Sequence, residues 1–152
     1  MTLKIAVSVG VMLPLLVVSP VDPAAAQQQQ EANKKAVLEF YDKALNQKDW
    51  EAASKYLGPK YIQHNPSVAD GHEGLKNLLS FLREKFPALR SEIKRAFAEG
   101  DYVILHVHSV REPGQRGRAI VDIFRLEHGK IAEHWDVIQD VPEKAANQNG
   151  MF

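Results

Sequence analysis

The chain has 152 residues, 19 basic and 19 acidic side chains, and no cysteine. A chain of this length suits one domain built on a single core. The balanced charge leaves no electrostatic footprint for nucleic acid, and the lack of thiols excludes disulfides, cysteine nucleophiles and thiolate metal sites.

The opening stretch, MTLKIAVSVGVMLPLLVVSPVDPAAAQQQQ, carries Lys4, an apolar run from Ile5 to Val18, and then small residues. That order predicts a secretory signal peptide over 1–26, with Ala24 and Ala26 as the small pair before cleavage. A Gln-rich tether over 27–30 follows, and the mature protein is expected in the periplasm or secreted. The apolar run is too short for a spanning helix, so no membrane contact is expected after cleavage.

In the segment EANKKAVLEFYDKALNQ, Val37, Phe40, Tyr41, Ala44 and Leu45 mark one helical face. Asp49 is placed to cap a short second helix, WEAASKYL, which Gly58 and Pro59 end. YIQHNP then reads as a polar segment whose Pro66 biases Asn65 toward extended backbone, with Tyr61 and His64 as candidate contacts at a pocket rim. Asp70 and Glu73 stand three apart, as a capping box requires, before the stripe Leu75, Leu78, Leu79, Leu82 and Phe86 of a third helix ending at Pro87.

From there the period changes to two. Four strands are expected in LRSEIKRAFAEG, DYVILHVHSVRE, GRAIVDIFRLE and GKIAEHWDVIQD, with turns at Glu99-Gly100, Pro113-Gly114 and His128-Gly129. Three helices followed by a strand meander form an α+β plan in which a curved sheet wraps its helices.

A two-residue turn at His128-Gly129 sets Phe124 opposite Glu133 and Asp122 opposite Trp135 by simple alternation. Pairing Val110 with Ile120 across the softer preceding loop sets His108 opposite Asp122. Alternation therefore gathers His106, His108, Asp122, Phe124, Glu133 and Trp135 on one surface. A His beside an Asp in an aromatic-walled surface suits proton transfer. The other face, with Val103, Leu105, Val107, Val121, Ile123 and Ile138, is apolar enough to predict burial in a homodimer. Alternation sends His134 and Asp136 away from Asp122, and only a β-bulge would bring them inward; Asp136 stands as a second candidate. His106-x-His108 with Asp122 has the composition of a two-His, one-carboxylate metal site, although the reading adopted is one without metal. Arg116 and Arg118 in EPGQRGR are placed either to meet an acidic ligand or to form a solvated turn.

On VLEFYDKALNQKDWEAASKYLGPKYIQHNP, the DGHEGL helix start and the hairpin VDIFRLEHGKIAEHWDVIQ, the chain resembles the SnoaL-like polyketide cyclases of the nuclear transport factor 2-like (NTF2-like) superfamily. The resemblance spans about 31–141, leaving 142–152 as a flexible tail. It implies a cone-shaped α+β barrel, commonly dimeric, without metal or organic cofactor. It also implies a catalytic Asp at Asp122 with His108 on the neighbouring strand. Chain position and strand pattern, apart from the resemblance, add Tyr61, His64, His106, Phe124, Glu133, Trp135 and Asp136 as candidate substrate contacts. The expected function is cofactor-free acid-base chemistry (proton abstraction, aldol-type cyclisation, isomerisation or lyase) on a small apolar carbonyl compound. The alternatives are a non-catalytic binder of a small hydrophobic ligand and a dimeric interaction module.

Overall fold

The computed structural model describes residues 22–152. The expected signal peptide lies, for residues 1–21, outside them. Helix α1 spans Pro23–Tyr41, capped by the Asp22 carboxylate on the Ala24 N–H, with Pro23 at its first position where the missing N–H costs nothing. The glutamines expected as a tether are thus inside α1, because nothing in the Gln run breaks a helix. A π-turn, Asp42–Asn46, continues it. Asp49 caps the four-residue α2, Trp50–Ala53, and a 3₁₀ turn, Ser54–Tyr56, follows.

The chain then enters a strand that the breakers Gly58 and Pro59 conceal: β1, Leu57–Gln63. It lies at a sheet edge, where a proline is tolerated because one side of the strand has no ladder to serve. Helix α3 runs Gly71–Lys85. Asp70 precedes it, but its carboxylate accepts the Gln63 N–H at 2.8 Å rather than capping the helix, tying α3 to β1. Strands β2 (Arg90–Glu99), β3 (Tyr102–Val110), β4 (Arg118–Glu127) and β5 (Lys130–Asp140) complete a five-stranded sheet of order β1-β5-β4-β3-β2. β1 pairs parallel with β5 and the rest are antiparallel, so the sheet is mixed, and it curves without closing into a barrel. Among the described residues no helix is long and apolar enough to cross a membrane.

The core lies between the concave sheet face and the helices. Val37, Phe40 and Tyr41 of α1 and Leu75 and Leu79 of α3 meet Val103, Leu105 and Val107 of β3 and Phe124 and Leu126 of β4. Val103, Leu105 and Val107, expected on a dimer face, are fully buried here. Gly74 lets α3 lie against the turn before it, since a Cβ there would stand 1.8 Å from the Ala69 carbonyl oxygen. Gly74→Ala, normally favourable inside a helix, is expected to destabilise the protein by ~1–3 kcal/mol, read as a lower urea midpoint.

Two registers differ from simple alternation. β3 pairs Leu105 with Asp122 and Val107 with Ile120, because the connection over 111–117 shifts the ladder by an odd number of residues. An odd shift exchanges the faces, so His106 and His108 point to the convex side, away from Asp122. In β5 the ladder runs Leu126 to Ile131 and then Arg125 to Glu133, which leaves Ala132 as the extra residue of a bulge. Beyond it Phe124 faces His134 and Asp122 faces Asp136, while Glu133 and Trp135 turn outward.

The segment 142–152 has no regular structure, yet it is not free. The Phe152 ring packs on His108 and His106 at centroid distances of 4.4 and 5.4 Å, on the convex side.

Candidate active site

A cavity of about 540 Å³ lies between the concave sheet face, α1 and α3. Its apolar wall includes Phe40, Leu75, Leu78, Phe81, Ile120 and Phe124, and one group of its polar residues is Asp122 with Tyr41, His134 and Asp136.

Asp122 is 5% exposed and is held by two partners. The Tyr41 hydroxyl donates to Oδ2 at 3.1 Å, and His134 Nε2 meets Oδ1 at 3.0 Å. The proton pattern follows from Gln63. Its Oε1 accepts the Asn65 backbone N–H at 2.9 Å, which fixes the amide's orientation, and the same oxygen lies 2.9 Å from His134 Nδ1. His134 Nδ1 therefore carries a hydrogen, so the Nε2–Oδ1 contact is bridged by one further proton. That proton belongs to the imidazolium when Asp122 is ionised and to the carboxyl when His134 is neutral.

Burial pushes the Asp122 carboxyl above the usual carboxylate range; the bonds from His134 and Tyr41 oppose this without cancelling it. Burial, with the Asp122 charge beside it, also holds Tyr41 well above an ordinary phenol. Tyr61 is raised chiefly by burial, so both hydroxyls keep their protons near neutral pH. The Tyr61 oxygen accepts from Gln63 Nε2 at 2.9 Å, which leaves its own O–H free to donate into the cavity. Asp136 is clasped by the Asn65 amide, 2.9 Å and 2.6 Å from its two oxygens.

Of the expected site residues, Asp122, Tyr61, Phe124 and Asp136 line this cavity, whereas His64, His106, His108, Glu133 and Trp135 do not. His108 Nε2 donates to the Arg116 carbonyl at 2.8 Å, and Arg95 donates to His106 Nδ1 at 2.8 Å, both on the convex side. His64 stacks on Trp135 at 4.6 Å and bonds Glu133 at 2.8 Å; Glu133 also pairs with Arg125 at 2.7 Å. These contacts hold Glu133 below the usual carboxylate range, His64 first among the causes. The residues that take the expected places are His134, Tyr41, Gln63 and Asn65. The bulge was the signal for His134, but nothing in the local residue types marks Ala132 as its site.

Asp122, His134 and Asp136 bring potential metal-ligand atoms within 4.8 Å of one another. Their donor chemistry suits a divalent cation, with Gln63 orienting the imidazole through Nδ1. In the present arrangement, however, the His134 Nε2–Asp122 Oδ1 contact is proton-bridged and Asn65 engages both Asp136 oxygens, so an ion would have to displace these hydrogen bonds. His106, His108 and Asp122, whose composition alone suited a metal site, do not form one, because the sheet stands between the histidines and the carboxylate.

The profile of the SnoaL-like polyketide cyclases matches residues 35–146. Among curated proteins none matches the chain. The structure is similar to that of a candidate polyketide cyclase from Bacillus cereus, with 22% identity, a TM-score of 0.65, and coverage of 84% of this chain and 91% of that one. TsrD from Streptomyces laurentii has 24% identity and a TM-score of 0.57, over 78% and 91% of the two chains. A candidate ketosteroid isomerase from Kribbella flavida shares 14% identity at a TM-score of 0.63, over 80% and 87%. With most of its length matched by the family profile and its sheet and helices repeated in these relatives, the chain belongs to the SnoaL-like polyketide cyclase family.

Proposed function

We propose that the protein is an exported enzyme that abstracts a proton α to the carbonyl of a small apolar compound and so promotes cyclisation, isomerisation or elimination without a cofactor. The observation that carries this reading is a carboxylate, Asp122, buried at an apolar cavity and bridged between Tyr41 and His134. Such a group binds a proton more readily than an exposed aspartate and still has donors that stabilise its ionised form. In the ionised form Asp122 takes the substrate proton. The free O–H of Tyr61 then meets the oxygen on which negative charge develops, in a wall that excludes water. Phe124, packed 4.7 Å from the His134 ring, holds the imidazole in place.

The test uses propiophenone in D₂O, with proton NMR following loss of the α-methylene signal. Exchange accelerated by the wild-type protein, retained after dialysis against EDTA and lost in Asp122→Asn, is the expected result. Equal rates for wild type and Asp122→Asn would sink the reading in favour of a non-catalytic binding pocket.

Export and self-association complete the proposal. Cleavage after Ala26 removes only the first turn of α1 and leaves its buried positions Asn33, Val37, Phe40 and Tyr41 in place. The convex face carries Phe97, Tyr102, Ile104, Val121 and Val137, the last of them 71% exposed, across four adjacent strands. A face this apolar is normally covered, and a second copy is the cover proposed here. Native mass spectrometry of the protein from its own host is expected to show a dimer starting at Gln27; a monomer, or an intact first residue, would overturn the corresponding part.

A further inference from the structure

Two arginines of the cavity wall have no role in the proton chemistry. Arg118 begins β4 and shares its inward parity with Ile120, Asp122 and Phe124, while Arg111 follows β3 on the parity of Ser109. Both line the main cavity and also a neighbouring cavity of about 530 Å³ beneath the 114–117 loop. Arg111 lies over the Phe86 ring, 4.7 Å from its centroid, which fixes the guanidinium. None of the ion pairs among the described residues uses either arginine, although Arg125 on the same β4 strand has two acidic partners. The Nε atoms of Arg111 and Arg118 are the buried side-chain polar atoms left without a hydrogen-bond partner among the described residues. Asp140 stands across the ladder from Arg118 but outside ion-pair distance.

Two guanidiniums that line the same cavities, within reach of each other's charge, partly withdrawn from water and without an ion-pair partner, are costly unless an anion joins them. Burial, and next the charge of Arg111, weakens the hold of Arg118 on its proton, the direction that two facing cations produce. A planar carboxylate satisfies both forks at once. A polar track leads from them into the site: the Ser91 hydroxyl donates to the Ser109 hydroxyl at 3.1 Å, both residues are buried, and both line the cavity with Tyr41. Along β4, Arg118 and Asp122 are four residues apart, or ~13 Å between backbones, and an arginine side chain spans about half of that.

We infer that Arg111 and Arg118 form an anion subsite, and that the substrate is a carbonyl compound that is apolar around its reacting carbon and bears a carboxylate several bonds away. That the bound anion is a substrate rests on the acid-base reading of Asp122; the anion site itself does not.

The probes are 6-oxo-6-phenylhexanoate and its methyl ester, which match in shape and differ in charge. Calorimetric titration of the full mature chain is expected to show the acid binding on the order of tenfold tighter than the ester. Added NaCl should erode that preference, and Arg111→Met and Arg118→Met should each reduce it. Equal affinities, failure of the acid to bind at millimolar concentration, or a preference that survives both arginine replacements would overturn the subsite. Asp122→Asn separates the two ideas: it is expected to lose α-proton exchange while still preferring the acid. Wild-type protein that prefers the acid yet exchanges no protons would sink the enzyme reading and leave the anion site standing.

Discussion

Asp122→Asn is expected to slow α-proton exchange by a factor on the order of 10²–10⁴, the usual contribution of a positioned general base. The substitution suits the site because the amide reproduces the hydrogen bonds of the neutral dyad. Its oxygen accepts from Tyr41 and its NH₂ donates to His134 Nε2, so the fold should persist while the titratable group is gone. The pH dependence gives an independent readout. Asp122 has a folded-state pKa raised above its unfolded value, so its favourable contribution to stability is fully present below about pH 4 and is lost as pH rises through the folded-state value. Denaturant midpoints measured across that window should therefore fall with pH in the wild type relative to Asp122→Asn. Exchange activity should rise over the same window as the base ionises. A variant with full activity, or with the same pH slope of stability as the wild type, would remove Asp122 from the role.

The largest loss of stability is expected at Phe124. This ring is 2% exposed and meets Phe40 edge-on at 5.9 Å, Tyr41 at 6.4 Å and the His134 ring at 4.7 Å. It belongs at once to the core and to the wall of the site. Phe124→Ala should cost about 3–5 kcal/mol, lost transfer energy and the cavity left behind acting together. Against a total stability of 5–15 kcal/mol, typical of a domain, that is a large fraction. Phe124→Leu keeps most of the volume and is expected to cost less while still loosening His134. A urea titration of both variants, followed by exchange measured well below each midpoint, separates the two effects. Wild-type stability in Phe124→Ala would show that the ring is not part of the packed core.

Much of the fold was legible because helices and hairpins are local. The stripe Leu75, Leu79 and Leu82 faces the core, Asp49 caps its helix, and the turn at His128-Gly129 adopts the positive φ values, 51° and 73°, that a tight hairpin requires. What eluded the sequence was long-range. β1 was hidden because Gly58 and Pro59 are breakers everywhere except at a sheet edge, and its partner β5 lies some 70 residues away. The site was half legible. Asp122, Tyr61, Phe124 and Asp136 line the cavity, whereas His106, His108, Glu133 and Trp135, which alternation expects beside Asp122, lie on the opposite face of the sheet. Alternation places His108 beside Asp122 only if the offset across 111–117 is even, and it is odd; it turns His134 away only if no residue is added between turn and site, and Ala132 is the added residue of the bulge. Tyr41 carries an ordinary helix-face signal, and only the tertiary contact gives it a hydrogen bond to Asp122.

The extra residue in β5 has a consequence for how such pockets diversify. Side by side on that strand stand two complete chemical sets: His134 with Asp136, and Glu133 with Trp135. One is read into the pocket and the other onto the outer surface, and the count of residues between the hairpin turn and the strand centre decides which. A change of strand length there would exchange an imidazole and a carboxylate facing the pocket for a carboxylate beside an indole, without substituting any of the four side chains. Relatives with similar residues in this strand but one residue more or fewer after the turn are therefore different pockets, and an alignment that slides a gap past Ala132 would equate residues on opposite faces of the sheet.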